Sequence, residues 1–197
     1  MKAATDDRIR VWAGHVASFT AAGLATSVLV GGTLGYVGMW LSLAGAGDAG
    51  LALVLGVIAL AVARELGVRA IPLVQARRQT AGIWAKRLGL RKAAILWGAD
   101  LGLFATTWQS LSGAWVVPVL ALLGASPAFG AALLAAYWLG RAASVWGAPA
   151  MTGSRAGTPE LMEALGESRD VARFVHVGAL AWAAVVVAAI VSQGGSV

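Results

Sequence analysis

Between Trp97 and Pro118 the sequence reads WGADLGLFATTWQSLSGAWVVP. Inside a long apolar region it carries an aspartate, two threonines, a glutamine and two serines. On a helix, Asp100, Thr107 and Ser110 fall near one stripe, at spacings of seven and three. Gln109 and Thr106 flank it. Hydrocarbon cannot satisfy such a stripe, so it must face other helices or water. Two roles suit it. It lines a polar path for a solute or a proton, or it joins helices through hydrogen bonds worth roughly 0.6 kcal/mol each. The residues leave both open.

Ionisable groups at membrane depth are costly and therefore functional candidates. Arg141 lies about two helical turns from one end of its apolar segment, at a depth similar to that of Asp100 on the preceding segment. An ion pair between them is geometrically reasonable. Arg64, Glu65 and His15 lie toward the same side of the membrane. The Asp100–Arg141 pair either ties two helices together or belongs to a solute or proton site. A long arginine so placed can also reach the headgroups.

Other chemistries lack their residues. There is no cysteine, which excludes disulfides, thiol redox steps and thiolate metal sites. The two histidines, His15 and His176, form no metal-binding pair. No serine has a recognisable histidine partner. No cofactor, metal site or catalytic centre is expected, and the chain does not read as an enzyme.

These candidates need elements to hold them. Charged residues make up 12% of the 197-residue chain, against about 25% in soluble domains. Mean hydropathy is +0.77. Apolar runs long enough for a helix to cross a hydrocarbon core of about 30 Å recur along it. The fold expected is all-α: a polytopic membrane helix bundle in a single domain over residues 1–197. Five segments are expected, at 12–45, 49–71, 93–123, 128–149 and 172–193. Short turns at 46–48 and 124–127 alternate with polar loops at 73–92 and 150–171. The apolar stretch from Val11 to about Ala46 far exceeds the about 7–15 residues of a cleavable signal core. It reads as a retained helix.

The basic residues orient the bundle. Lys2, Arg8 and Arg10 precede the first segment, and Arg77, Arg78, Lys86, Arg87, Arg91 and Lys92 fill the first long loop. Arg155, Arg169 and Arg173 lie in or beside the second. The short turns and the tail SQGGSV have none. The positive-inside rule places the N-terminus in the cytosol and the C-terminus outside, in a plasma or inner membrane. The net charge of +6 then meets anionic lipid at the cytosolic face rather than nucleic acid. QARRQTAGIWAKRLGLRK suits a short interfacial helix with Ile83, Trp84 and Leu88 toward lipid. Thr158 and Pro159 suit the start of another short helix in the second loop.

Two segments are too long. Residues 12–45 and 93–123 would extend about 51 and about 47 Å as straight helices. Each either protrudes or breaks, at Gly31-Gly32 in the first and at Ser112-Gly113 before Pro118 in the second. A break that makes a hairpin would raise the span count to six. The stretches 12–75 and 93–150 also read as repeat halves related about the membrane normal, with the last helix outside the repeat. Gly31 and Gly35 form a GxxxG pair, and Gly23, Gly32 and Gly38 widen the small surface for close helix packing. Trp12, Trp84, Trp97 and Trp146 suit interfacial anchors.

The stretch PVLALLGASPAFGAALLAAYWLGRAASVWG resembles the transmembrane family of cytochrome c biogenesis and disulfide-reductase membrane domains. Pro118, Val119 and Leu120 match the end of that family's Thr-Pro-Cys-x-Gly-Pro-Val-Leu element. Gly130, Leu134, Tyr137 and Gly140 match the helix that follows, and Gly35 and Tyr36 match the end of its first-half element. The resemblance covers about half of the chain and implies a related helical fold of six spans. The family's reactive cysteines would fall at about Val28 and Trp115, and its adjacent prolines at Ser27 and Ala114, so thiol electron transfer does not carry over.

The expectation is a small-solute or ion carrier. The alternative is a non-catalytic membrane subunit or anchor of a larger complex. Homo-oligomers or other membrane subunits are the expected protein partners. The charge asymmetry makes one direct prediction. A reporter fused after Val197 will read as extracytoplasmic and one inserted beside Gly82 as cytoplasmic; both on one side would overturn the five-span topology.

Overall fold

The computed structural model describes residues 2–68, 82–104, 112–152, 177–181 and 184–185. Every regular element among them is helical. The elements are α1 (Lys2–Trp40), α2 (Gly47–Glu65), α3 (Ile83–Leu88), α4 (Leu90–Gly102), α5 (Val116–Leu123) and α6 (Pro127–Thr152). Tight 3-10 turns at Leu43–Gly45 and Ser112–Trp115 precede α2 and α5. Helical stretches follow at 177–181 and 184–185. Three helices are long and apolar enough to cross a membrane: Ile9–Trp40, Gly47–Glu65 and Pro127–Gly147.

The first long segment does not break. α1 runs through Gly31 and Gly32 and stops at Trp40, where Ser42 turns left-handed at φ 58°. The glycines serve contact instead. A Cβ on Gly31 would run into the carbonyl of Gly130, one on Gly35 into the carbonyl of Ser126, and one on Gly38 into that of Leu122. A Cβ on Gly23 would strike the Trp138 indole. Backbones that approach this closely leave no room for side chains. Trp138 is buried and donates its Nε1–H to the Thr20 carbonyl at 2.9 Å. Trp146 donates to the Thr20 hydroxyl at 3.0 Å and meets Trp12 edge-on at 5.8 Å. These contacts run in opposite order along the two helices, so α6 lies antiparallel to α1.

The second long segment does break. α4 ends at Gly102, and Phe104 follows with φ 67°. The chain is described again from the 3-10 turn at Ser112. The break therefore begins before the Ser112-Gly113 position that the sequence suggests. It is not a hairpin. Gly98 lies against Phe19, Gly102 against Gly23 and Thr26, and Leu122 against Gly38. Both halves advance in one direction along α1. At 1.5 Å per residue α4 covers about 18 Å and residues 112–123 about 17 Å.

α2 packs on α5 and on the Ser112–Trp115 turn. Val54, Ile58 and Ala61 of α2 form a buried cluster with Val116 and with Leu180 of the last segment. Val119, Leu120, Leu123 and Ala184 close around it. The second short turn sits where expected. Ala125 is left-handed at φ 45°, and α6 opens on Pro127, whose missing N–H costs nothing at a first helical position. α3 is the short helix expected in the basic loop, with Ile83 and Leu88 exposed; Gly89, at φ 78°, ends it. The expected helix near Thr158 lies outside the described residues.

The seam gives a paired test. Gly31→Ala and Gly130→Ala each force two backbones apart, and overpacking of this kind costs about 1–3 kcal/mol. Gly140→Ala meets nothing within 4 Å, so a helix-favouring methyl there is neutral or stabilising by up to about 1 kcal/mol. Thermal unfolding in detergent will separate the three.

Candidate functional site

A break inside a packed helix bundle exposes backbone groups that need partners. The structure shows what satisfies them. At the end of α4, Ser27 of α1 donates its hydroxyl to the Gly102 carbonyl at 3.2 Å, and Ser27 is buried. At the start of the second half, the Ser112 N–H points to Oε1 of Glu65 at 2.8 Å. The first N–H groups of a helical run have no carbonyl behind them, and a carboxylate there also answers the positive end of the helix dipole. Glu65, the last residue of α2, thus caps a helix from another segment of the chain. The Ser112 hydroxyl lies 2.6 Å from the same carboxylate oxygen and 2.9 Å from the Ala61 carbonyl. It has one proton for two acceptors.

An aromatic chain fills the space beside the break. Phe104 is buried, with its ring 5.5 Å from Trp115 and 5.6 Å from Tyr137. The Arg141 guanidinium lies over the Tyr137 ring at 5.8 Å. This is a cation–π arrangement. Among the described residues, Trp115 Nε1 and Arg141 Nη1 have no hydrogen-bond partner. Asp100 is 7% exposed, one turn before the break on α4. A left-handed, non-glycine backbone at Phe104 costs roughly 1–3 kcal/mol and persists only where surroundings hold it.

The expected site residues fare differently. Asp100 is buried beside the break, and Glu65 is joined to it through Ser112. Arg64 is half-buried in the last turn of α2. The Arg141 guanidinium faces the Tyr137 ring. Thr107, Gln109 and Ser110 lie outside the described residues, as does Thr106. His15 is not at the break. It lines a shallow cavity of about 350 Å³ with Asp7, Val11, Trp12 and Leu90, near the N-terminal end of α1. No group of three or more His, Asp or Glu among the described residues is arranged to hold a metal.

Ser27, Phe104, Trp115 and Tyr137 were not singled out for such roles. Tyr137 had a signal in its spacing, since i and i+4 on a helix share a face and Arg141 is four residues on. Phe104 had none, because nothing in its side chain announces a left-handed backbone.

No family model matches the chain, and neither a curated protein nor a solved structure gives a significant match.

The cap predicts a graded series. Glu65→Ala strands the Ser112 N–H and will lower stability by about 1–3 kcal/mol. Glu65→Gln keeps a carbonyl oxygen for that N–H and will lose less. Ser112→Ala keeps the N–H bond and loses only the hydroxyl. Thermal unfolding in detergent checks the order, and equal losses in all three would deny the cap its role.

Proposed function

We propose that this chain is a small-solute or ion carrier, built as a five-span bundle with its site at the interrupted span. Residues 172–193 supply the fifth span on this reading, and α1–α2 and α4–α6 form the repeat halves. The observation that supports it is the interruption between α4 and the Ser112–Trp115 turn, met by side chains from two other helices. A helix bundle built only to anchor a complex gains nothing from opening its backbone there, since a continuous helix satisfies every amide itself. Carriers gain from it, because the ends of half-helices present N–H and C=O groups to a solute. The Lys and Arg distribution places the N-terminus in the cytosol, with anionic lipid at that face. Kinship with the cytochrome c biogenesis domains would add a fold and no redox step, because there is no thiol.

Water access decides the matter. The natural chain lacks cysteine, so a single introduced thiol reports alone. In lipid nanodiscs, Gly113→Cys will react with a membrane-impermeant methanethiosulfonate, whereas Leu60→Cys, on the exposed apolar face of α2, will not. A fully protected Gly113→Cys together with a partner of fixed stoichiometry in mild detergent would replace the carrier with the subunit alternative.

A further inference from the structure

Trp12 and Trp40 stand about 42 Å apart along α1 at 1.5 Å per residue. A bilayer with both headgroup layers is about 40–45 Å thick. Tryptophan favours those layers. In a bilayer Trp12 therefore marks one of them and the exposed Trp40 the other. The cavity of about 350 Å³ lies at the Trp12 end. Asp7, Val11 and His15 line it at four-residue spacings on α1, with Trp12 beside them and Leu90 from the start of α4. Gly98 rests on Phe19, and counting back equally along the two helices brings Leu90 level with Val11. Both of these apolar side chains are more than half exposed. Charge of the opposite sign to Asp7 is close in the chain. Lys86 and Arg87 end α3, and Arg91 and Lys92 follow Leu90; all four are exposed. An open apolar hollow at a headgroup layer thus has an acid in its wall and bases beside it.

We propose that this cavity seats one zwitterionic phospholipid with a primary ammonium headgroup, phosphatidylethanolamine. Its ammonium donates to the Asp7 carboxylate, its phosphate meets Arg91, and its glycerol and upper chains cover Val11 and Leu90. The rise from Asp7 to Val11 is about 6 Å, and one headgroup layer is about 5–8 Å deep. The order of groups along α1 matches the order of groups down the lipid. A charge comes first at Asp7, an apolar side chain next at Val11, and then His15, whose ring N–H can donate to an ester carbonyl. Ile95 and Leu96, exposed further along α4, continue the apolar path for the chains. Charge chooses among lipids. A purely anionic headgroup meets Asp7 with like charge, and a choline headgroup has no N–H to give it. The proposal needs insertion in a bilayer and nothing more, so it holds for a carrier and for a membrane subunit alike.

Lipid titration tests it apart from transport. Purified protein in a non-ionic detergent is unfolded thermally with dioleoyl phosphatidylethanolamine, phosphatidylcholine or phosphatidylglycerol, each over the same range of micelle fractions. A ligand that binds only the folded state raises the midpoint with concentration. The ethanolamine lipid will raise it at a lower fraction than the other two. Glycerophosphoethanolamine, the same headgroup without chains, will act only at much higher concentration; an equal response would make this a site for a free phosphate ester and overturn the lipid. Asp7→Asn will weaken the ethanolamine response by about threefold or more, the scale of an ion pair open to water, and bring it level with the choline lipid. Asp48→Asn, exposed at the far end of the bundle, will leave the order of the lipids unchanged. Arg91→Gln will weaken the response to all three, since each carries the phosphate. Leu90→Trp fills the cavity and will abolish the preference. Equal shifts with the three lipids, a preference for phosphatidylglycerol, or an ethanolamine preference that survives Asp7→Asn would overturn the proposal. None of these outcomes depends on whether Gly113→Cys is reactive, so the lipid seat and the carrier stand or fall separately.

Discussion

Much of this molecule depends on one amide. The Ser112 N–H stands at the start of the described 3-10 turn, inside the bundle. In water such a group is solvated at no cost. Surrounded by helices and lipid, it costs on the order of 1–3 kcal/mol if left bare. Glu65 meets it at 2.8 Å from the end of α2. This contact accounts for the burial of Ser112 and sits beside the cluster of Val54, Ile58, Ala61 and Val116, while α2 itself ends where Gly67 turns left-handed at φ 109°. A polar contact at one end of α2 and an apolar cluster along its length fix the same pair of elements.

The other half of the bundle is held by the absence of side chains. α1 meets α6 at Gly31, Gly35 and Gly130, and meets α4 at Gly98 and Gly102. In lipid there is little hydrophobic gain from pressing helices together, so contact area and close approach must supply the stability. Glycine allows the approach, and the buried Trp138 indole packs against the bare backbone of Gly23. Two kinds of cohesion thus coexist. One is backbone on backbone, around α1. The other is branched side chains around α2.

Class was legible in the sequence because hydropathy and charge act over whole segments. The short turns were legible because Pro127 and the Gly47-Asp48 pair act locally. The packing role of Gly31 and Gly32 was legible from the GxxxG spacing, but the continuity of α1 through them was not. Two adjacent glycines weaken a helix in isolation, yet α1 continues through them because Gly130 covers that face. The tertiary contact outweighs the propensity. Asp100 and Glu65 were legible as candidates, since a carboxylate at membrane depth needs a reason. What Glu65 caps was not legible, because Ser112 is 47 residues away. Arg141 meets an aromatic face, four residues back on its own helix. The local neighbour was the simpler reading of the spacing.

The break also divides the chain mechanically. α4 is keyed to α1 by Gly98 and Gly102, where backbone touches backbone. The turn at Ser112 is keyed to α2 by a carboxylate and by branched side chains. The first joint is stiff, because main chain in contact with main chain has no rotamers to change. The second is compliant, because a glutamate and a set of valines and isoleucines can adjust their torsions. The α5 end returns to backbone contact, where the Leu122 carbonyl meets Gly38, so the glycine seam frames this span at both ends and the side-chain joint at Ser112 lies between them.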